Sequence, residues 1–119
     1  MAFSNDRPIF LELAGAIAAD VLAGLYPEES QVPSTTELGA HYRINPATAG
    51  KALNRLVDAG IVYKKRGLGM FVAAGAPEGL RRERRSELHT HYIAPLLTEA
   101  RRLGLTTADV VDLITKDQS

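Results

Sequence analysis

Residues 34–60 read STTELGAHYRINPATAGKALNRLVDAG, and this stretch decides the fold. Ser34-Thr35-Thr36-Glu37 has the form of a capping box. In that motif the Ser34 hydroxyl accepts from the Glu37 backbone N–H, and the Glu37 carboxylate reaches back to Ser34. It predicts a short helix over about 35–41, with His41-Tyr42-Arg43-Ile44 as the turn that follows. Asn45 is then a good N-cap, and Pro46 a good first helical residue because its missing N–H has no helical use there. The helix it opens runs over about 46–59 and is ended by Gly60. Ala49, Leu53, Leu56 and Val57 share one face of it, and Thr48, Lys51 and Arg55 another.

Outward from this pair, Pro8 suits the first turn of an earlier helix. Phe10, Leu13, Ile17 and Val21 then recur at helical spacing, which predicts a helix over about 9–23 with Gly24 as its stop. A connector from Leu25 to Pro33 leaves room for a short strand around Gln31-Val32. Downstream, residues 61–65 and 69–72 flank Arg66-Gly67-Leu68 and read as a hairpin with a basic tip. Residues 73–76 form a small-residue hinge. Pro77 opens a second helical region, which Pro95 should kink and Gly104 should end. Thr106 or Thr107 can cap a last helix, with Val110, Leu113 and Ile114 as its apolar face.

The chain has 119 residues, 45% of them hydrophobic, which suffices for one compact domain and a few further helices. It has no cysteine, so disulfides and thiolate metal sites are excluded. No signal peptide or membrane span is legible, and the expected location is cytoplasmic. The net charge is zero, yet its distribution is uneven. Residues 61–85 carry 7 Lys and Arg against 2 Asp and Glu, whereas residues 1–60 carry 4 against 7. Positive charge is thus concentrated between Lys64 and Arg85, masked in the total by acidic helices elsewhere.

Three helices followed by a basic hairpin make a winged helix-turn-helix. The fold class expected is mainly α with a small β-hairpin. A winged helix-turn-helix at 1–75 is followed by a short two-helix C-terminal dimerisation region at 76–119. The third helix must pack its apolar face inward and present a face small enough to approach base edges. Ala47, Thr48, Gly50 and Lys51 satisfy that requirement. The hairpin supplies Lys64, Lys65 and Arg66 for phosphates or the minor groove, and Gly67 lets the backbone come close.

On these residues the chain resembles the GntR family of bacterial regulators. The matching pieces are Pro8-Ile9-Phe10, Val32-Pro33-Ser34 with Glu37-Leu38, Ala52-Leu53 with Leu56, Ala59-Gly60-Ile61-Val62, and the glycine-rich run from Arg66 to Val72. Asn45-Pro46-Ala47-Thr48 and the brief tail resemble the YtrA subfamily, whose two-helix C-terminal region makes a dimer in place of a large effector domain. The resemblance implies a repressor that occludes a promoter, its own operon's and that of adjoining transport genes. It places phosphates at Ser34, Thr35 and Thr36, groove contacts at Asn45, Ala47, Thr48 and Lys51, and wing contacts at Lys65, Arg66 and Gly67. Thr36, Pro46 and Gly50 stand where many members carry arginine. Arg43 stands where the turn often has glycine, and a positive φ there would carry about 1–2 kcal/mol of strain.

The tail carries Leu88, Tyr92, Leu96, Leu103, Val110, Leu113 and Ile114, too many apolar groups for two lone helices in water. A homodimer would bury them and present two recognition helices to a palindromic double-stranded operator. Arg81, Arg82, Arg84 and Arg85 have three readings: a solvated helix face, an extension of the DNA surface, or partners for acidic groups of a second subunit. His89 and His91 lie on different helix faces and do not form a metal pair. No cofactor, metal or catalytic constellation is legible, so an enzyme is not expected. An unidentified small-molecule effector has room only in a small pocket at the dimer interface or between the wing domain and the tail. The alternative function is a winged-helix protein-interaction or assembly module without operator binding.

Overall fold

The structure is a computed structural model that describes residues 8–118. Residues 1–7 of the expected first domain and residue 119 of the expected second lie outside them. The chain divides into two compact units between Arg81 and Arg82.

In the first unit, α1 (Ile9–Leu22) follows Pro8, whose carbonyl accepts from the Leu11 and Glu12 N–H groups. The helix buries Leu13, Ala14, Ile17 and Val21, one stripe at helical spacing. Next, α2 (Thr35–Tyr42) and α3 (Pro46–Asp58) form the expected corner. The stripe that α3 buries is Ala49, Ala52, Leu53 and Leu56. Val57, expected on that stripe, is exposed, because it lies a further 80° or so round the helix from Ala49. Packing of α1 and α2 against α3 makes the core. Fully buried Leu13, Ile17, Val21 and Leu53 are worth about 1.5–3 kcal/mol each in transfer terms. No polar side chain is buried among the described residues.

The hairpin comprises β1 (Val62–Lys65) and β2 (Gly69–Val72), antiparallel with Val62 opposite Val72 and Lys65 opposite Gly69. Val62 and Val72 plug into the core. The connector adds a third edge to this sheet. Its Glu29 N–H donates to the Val72 carbonyl at 2.8 Å, and its Val32 N–H to the Met70 carbonyl at 2.9 Å. The possible strand at Gln31-Val32 is thus a single bridge, Gln31 to Phe71.

Helix α4 (Ala76–Leu88) begins in the first unit, where Ala76 and Leu80 join the core cluster. In the second unit a π turn (His89–Ile93) leads into α5 (Ala94–Arg102). The kink expected at Pro95 takes this form. Pro95 has no N–H to offer the carbonyl four residues back, and the backbone widens ahead of it. The Ala94 N–H accordingly bonds the His89 carbonyl, five residues earlier. Helix α6 (Thr107–Asp117) is capped by Thr106, which shares a second capping box with Asp109. No helix among the described residues is long and apolar enough to cross a membrane.

The α2–α3 corner depends on Gly39. A Cβ there would stand 3.0 Å from the Ile44 carbonyl oxygen and 3.4 Å from Pro46 Cγ. Neither backbone nor a ring at a helix start can yield cheaply. Gly39→Ala is expected to destabilise the protein by about 1–3 kcal/mol, read as a lowered urea midpoint with an unchanged m-value.

Candidate nucleic-acid interface

The candidate residues lie at the starts of α2 and α3 and on the hairpin. At α2, the Ser34 hydroxyl accepts from the Glu37 N–H at 3.1 Å, and the Ser34 N–H donates to the Glu37 carboxylate at 3.0 Å. The box therefore consumes the Ser34 side chain. It leaves the first-turn N–H groups of Thr35 and Thr36 without helical acceptors, and these point where an anion is favoured. Thr36 is exposed; Thr35 is half-buried, its methyl 3.8 Å from where a Cβ on Gly50 would sit. The Ser34 backbone N–H, and then its hydroxyl, hold the Glu37 carboxyl below its ordinary value.

At α3, Asn45 accepts from the Ala47 N–H at 2.8 Å, so its oxygen serves the cap. Ala47 and Lys51 are exposed, while Thr48 is half-buried. Asn54, which the sequence reading passed over, is exposed and shares the face of Ala47 and Lys51 at i+7 and i+3. The spacing 47, 51, 54 was the signal available for it. Gly50 lies on the same face, and the nearest atom to a Cβ there is that of Thr35. Arg43, the C-cap of α2, has φ 55 and ψ 51, the left-handed conformation in which an arginine carries about 1–2 kcal/mol of strain.

On the wing, Lys64, Lys65, Arg66 and Gly67 are exposed. The Lys65 ammonium stands 4.5 Å from the Phe71 ring centroid and 5.8 Å from that of Tyr63, a cation–π seat that limits its freedom. Behind the tip lies support that sequence reasoning missed. Gln31 Nε2 donates to the Leu68 carbonyl at 2.9 Å. A Cβ on Gly69, at φ 119, would come 2.6 Å from that nitrogen. The Tyr63 hydroxyl donates to the Glu29 carboxylate, a bond that pushes the Tyr63 phenol up from its ordinary value. The Gly75 N–H donates to the Glu28 carboxylate.

A family model for bacterial regulatory proteins of the gntR family matches residues 11–72. The chain belongs to the GntR family. It is a helix-turn-helix transcriptional regulator with a DNA-binding domain of that family. It is similar to the HTH-type transcriptional regulator YhcF of Bacillus subtilis, 24% identical over 92% of this chain and 89% of that protein. The histidine utilization repressor of Klebsiella aerogenes is 30% identical over 59% of this chain, which spans only 29% of that longer protein. Among solved structures, a GntR-family regulator of Bacteroides thetaiotaomicron aligns with TM-score 0.71 at 27% identity, over 91% of this chain and 94% of its own. The AraR DNA-binding domain, solved in complex with an operator, aligns with TM-score 0.56 at 25% identity, over 61% and 88%. These relatives are transcription regulators, not enzymes.

In the second unit, Leu88, Tyr92, Leu96, Leu103, Leu113 and Ile114 are all exposed, as are Ile93 and Val111. Val110 alone of the expected tail set is buried within its own chain, and it and Ala100 line the same groove. Between α5 and α6, that open apolar groove of about 450 Å³ is edged by Glu99 and Asp117. Arg81 pairs with Glu78 at 2.7 Å, and Arg82, Arg84 and Arg85 are exposed. No group of three His, Asp or Glu among the described residues is placed to hold a metal ion.

Two outcomes test this surface. Gly50→Ala should raise stability by up to about 1 kcal/mol, since helix propensity improves and the new methyl meets only ordinary contact. The same variant should weaken DNA binding in a titration if the face needs close approach. Glu37 has a lowered carboxyl, so its contribution to stability is present above the ordinary glutamate value of 4.5 and is lost as pH falls through the lowered one. The wild type should therefore lose more thermal stability than Glu37→Gln between pH 5 and about pH 3.

Proposed function

We propose that this chain is a repressor of the YtrA type that binds a palindromic operator as a homodimer. The observation that carries the reading is that one compact unit holds both an exposed small-residue face on α3 and an exposed basic wing. Ala47, Gly50, Lys51 and Asn54 offer close approach to base edges with few long side chains. Thr35 and Thr36 offer first-turn donors, and Lys65, Arg66 and Gly67 a positive, close-fitting wing. The AraR domain bound to operator supports duplex DNA as the partner.

The homodimer is supported by the exposed leucines of the second unit, which in a lone chain would leave a large apolar area in water. Val110 and Ala100 brace α5 against α6, and Leu96, Leu103, Leu113 and Ile114 meet the second copy. The alignment with YhcF along nearly all of both chains supports the short-tailed organisation. A C2 pair then sets two copies of α3 about one turn of DNA, or a multiple of it, apart. Binding occludes the promoter of the chain's own operon and of adjoining transport genes, in the cytoplasm. A small molecule lodging in the α5–α6 groove would act by loosening this pair.

Fluorescence anisotropy with a palindromic duplex at several salt concentrations, run beside sedimentation, tests the reading. Lys65→Glu with Arg66→Glu should abolish binding near physiological salt and leave the dimer intact. Leu96→Glu with Leu113→Glu should yield folded monomers whose operator affinity falls about a hundredfold or more. An assembly module would show neither sequence preference nor salt dependence, and that result would sink the proposal.

A further inference from the structure

The left-handed Arg43 is the least explained residue of the helix-turn-helix. Its backbone task is plain: its N–H closes α2 on the Gly39 carbonyl, and the Ile44 N–H meets the same oxygen at 3.0 Å. Any residue with an N–H could do this, and glycine would do it without strain. Among the described residues, the other non-glycine residue at positive φ is Glu29. There the side chain has a use, since its carboxylate accepts the Tyr63 hydroxyl. Arg43 has none of that kind. Its side chain is exposed, and among the described residues its guanidinium has neither an ion pair nor a hydrogen bond.

The charge inventory says what such a group could serve. Residues 34–59 hold three fixed cations: Arg43, Lys51 and Arg55. Lys51 and Arg55 lie one and two turns or more along α3. Arg43 lies two residues ahead of Asn45, the N-cap, and is thus, of these three, the fixed cation nearest in sequence to the α3 start. An exposed guanidinium with its donors open, two residues from the N-cap of α3, fits a phosphodiester oxygen pair in bidentate fashion.

We infer that Arg43 is a DNA-backbone contact that fixes the start of α3 against a phosphate, and that its left-handed conformation is strain held for that purpose. The inference rests on the operator-binding reading above. A phosphate contact adds affinity and register but no base preference.

The test uses the full chain, a palindromic duplex and a scrambled one, with Arg43→Gly and Arg43→Lys. Arg43→Gly should bind both duplexes about tenfold more weakly. Its log affinity against log salt should be shallower by about 0.9 per half-site. Its urea midpoint should be no lower than the wild type's, because glycine relieves the positive φ, so a folding defect cannot account for the loss. Arg43→Lys should keep the salt slope. Unchanged affinity and slope in Arg43→Gly, with the wild type binding normally, would overturn the inference alone. So would a loss confined to the palindrome, which would mark a base contact, or a loss matched by a lowered midpoint. A wild type that shows no salt-dependent binding to either duplex would overturn the operator reading and this inference together.

Discussion

The backbone of α2 at Gly39 and the carbonyl of Ile44 come so close that even a methyl group there would be crowded, 3.0 Å from the oxygen. That close approach at Gly39 lets α2 turn tightly into α3, and the candidate surface is arranged around this corner. With the corner closed, Leu38 reaches the core, Ala49 and Ala52 let α3 settle against its neighbours, and Leu53 and Leu56 complete the packing. Small residues at the contact allow short interaxial distances. The opposite face of α3 is left outward, and its composition is free to serve another purpose. Arg43 closes the same corner in a conformation that glycine would adopt more cheaply. Strain of about 1–2 kcal/mol is a visible fraction of the net stability of a domain this size.

The wing depends on a different constraint. A two-stranded hairpin is marginal alone in water, so its position has to come from elsewhere. Val62 and Val72 anchor its base in the core, and the connector bonds along the free edge of β2. Gln31 holds the tip through the Leu68 carbonyl, while Glu28 and Glu29 hold Gly75 and Tyr63. The connector is therefore a strut. The acidic residues that mask the chain's basic charge in the total are partly spent on positioning the basic hairpin.

In the second unit the balance is reversed. Its intrachain core is small, with Ala100 and Val110 as its buried apolar residues, and the large apolar side chains face out. Such a unit has little to hold it together by itself. The proposed second copy would cover the exposed leucines, and it would double the number of α3 helices offered to DNA at the same time.

Much of this was legible in the chain before any coordinates. The capping box at Ser34, the Asn45 cap, most helix ends and the hairpin follow from residues three to eleven apart, whose geometry is set by covalent connection and hydrogen-bond reach. The GntR resemblance was legible for the same reason, since its motifs are these local signatures. What only the tertiary structure decided spans longer separations. Gln31 finds Leu68 across 37 positions, Glu29 finds Tyr63 across 34, and Glu28 finds Gly75 across 47. Nothing in the sequence near those residues names the partner, because the pairing exists only after the core has brought the connector alongside β2. The same holds for the half-burial of Thr48, the exposure of Val57 and Asn54, and the seat of Lys65 on Phe71. Periodicity gives a helix its faces, and packing alone determines how far each face is covered.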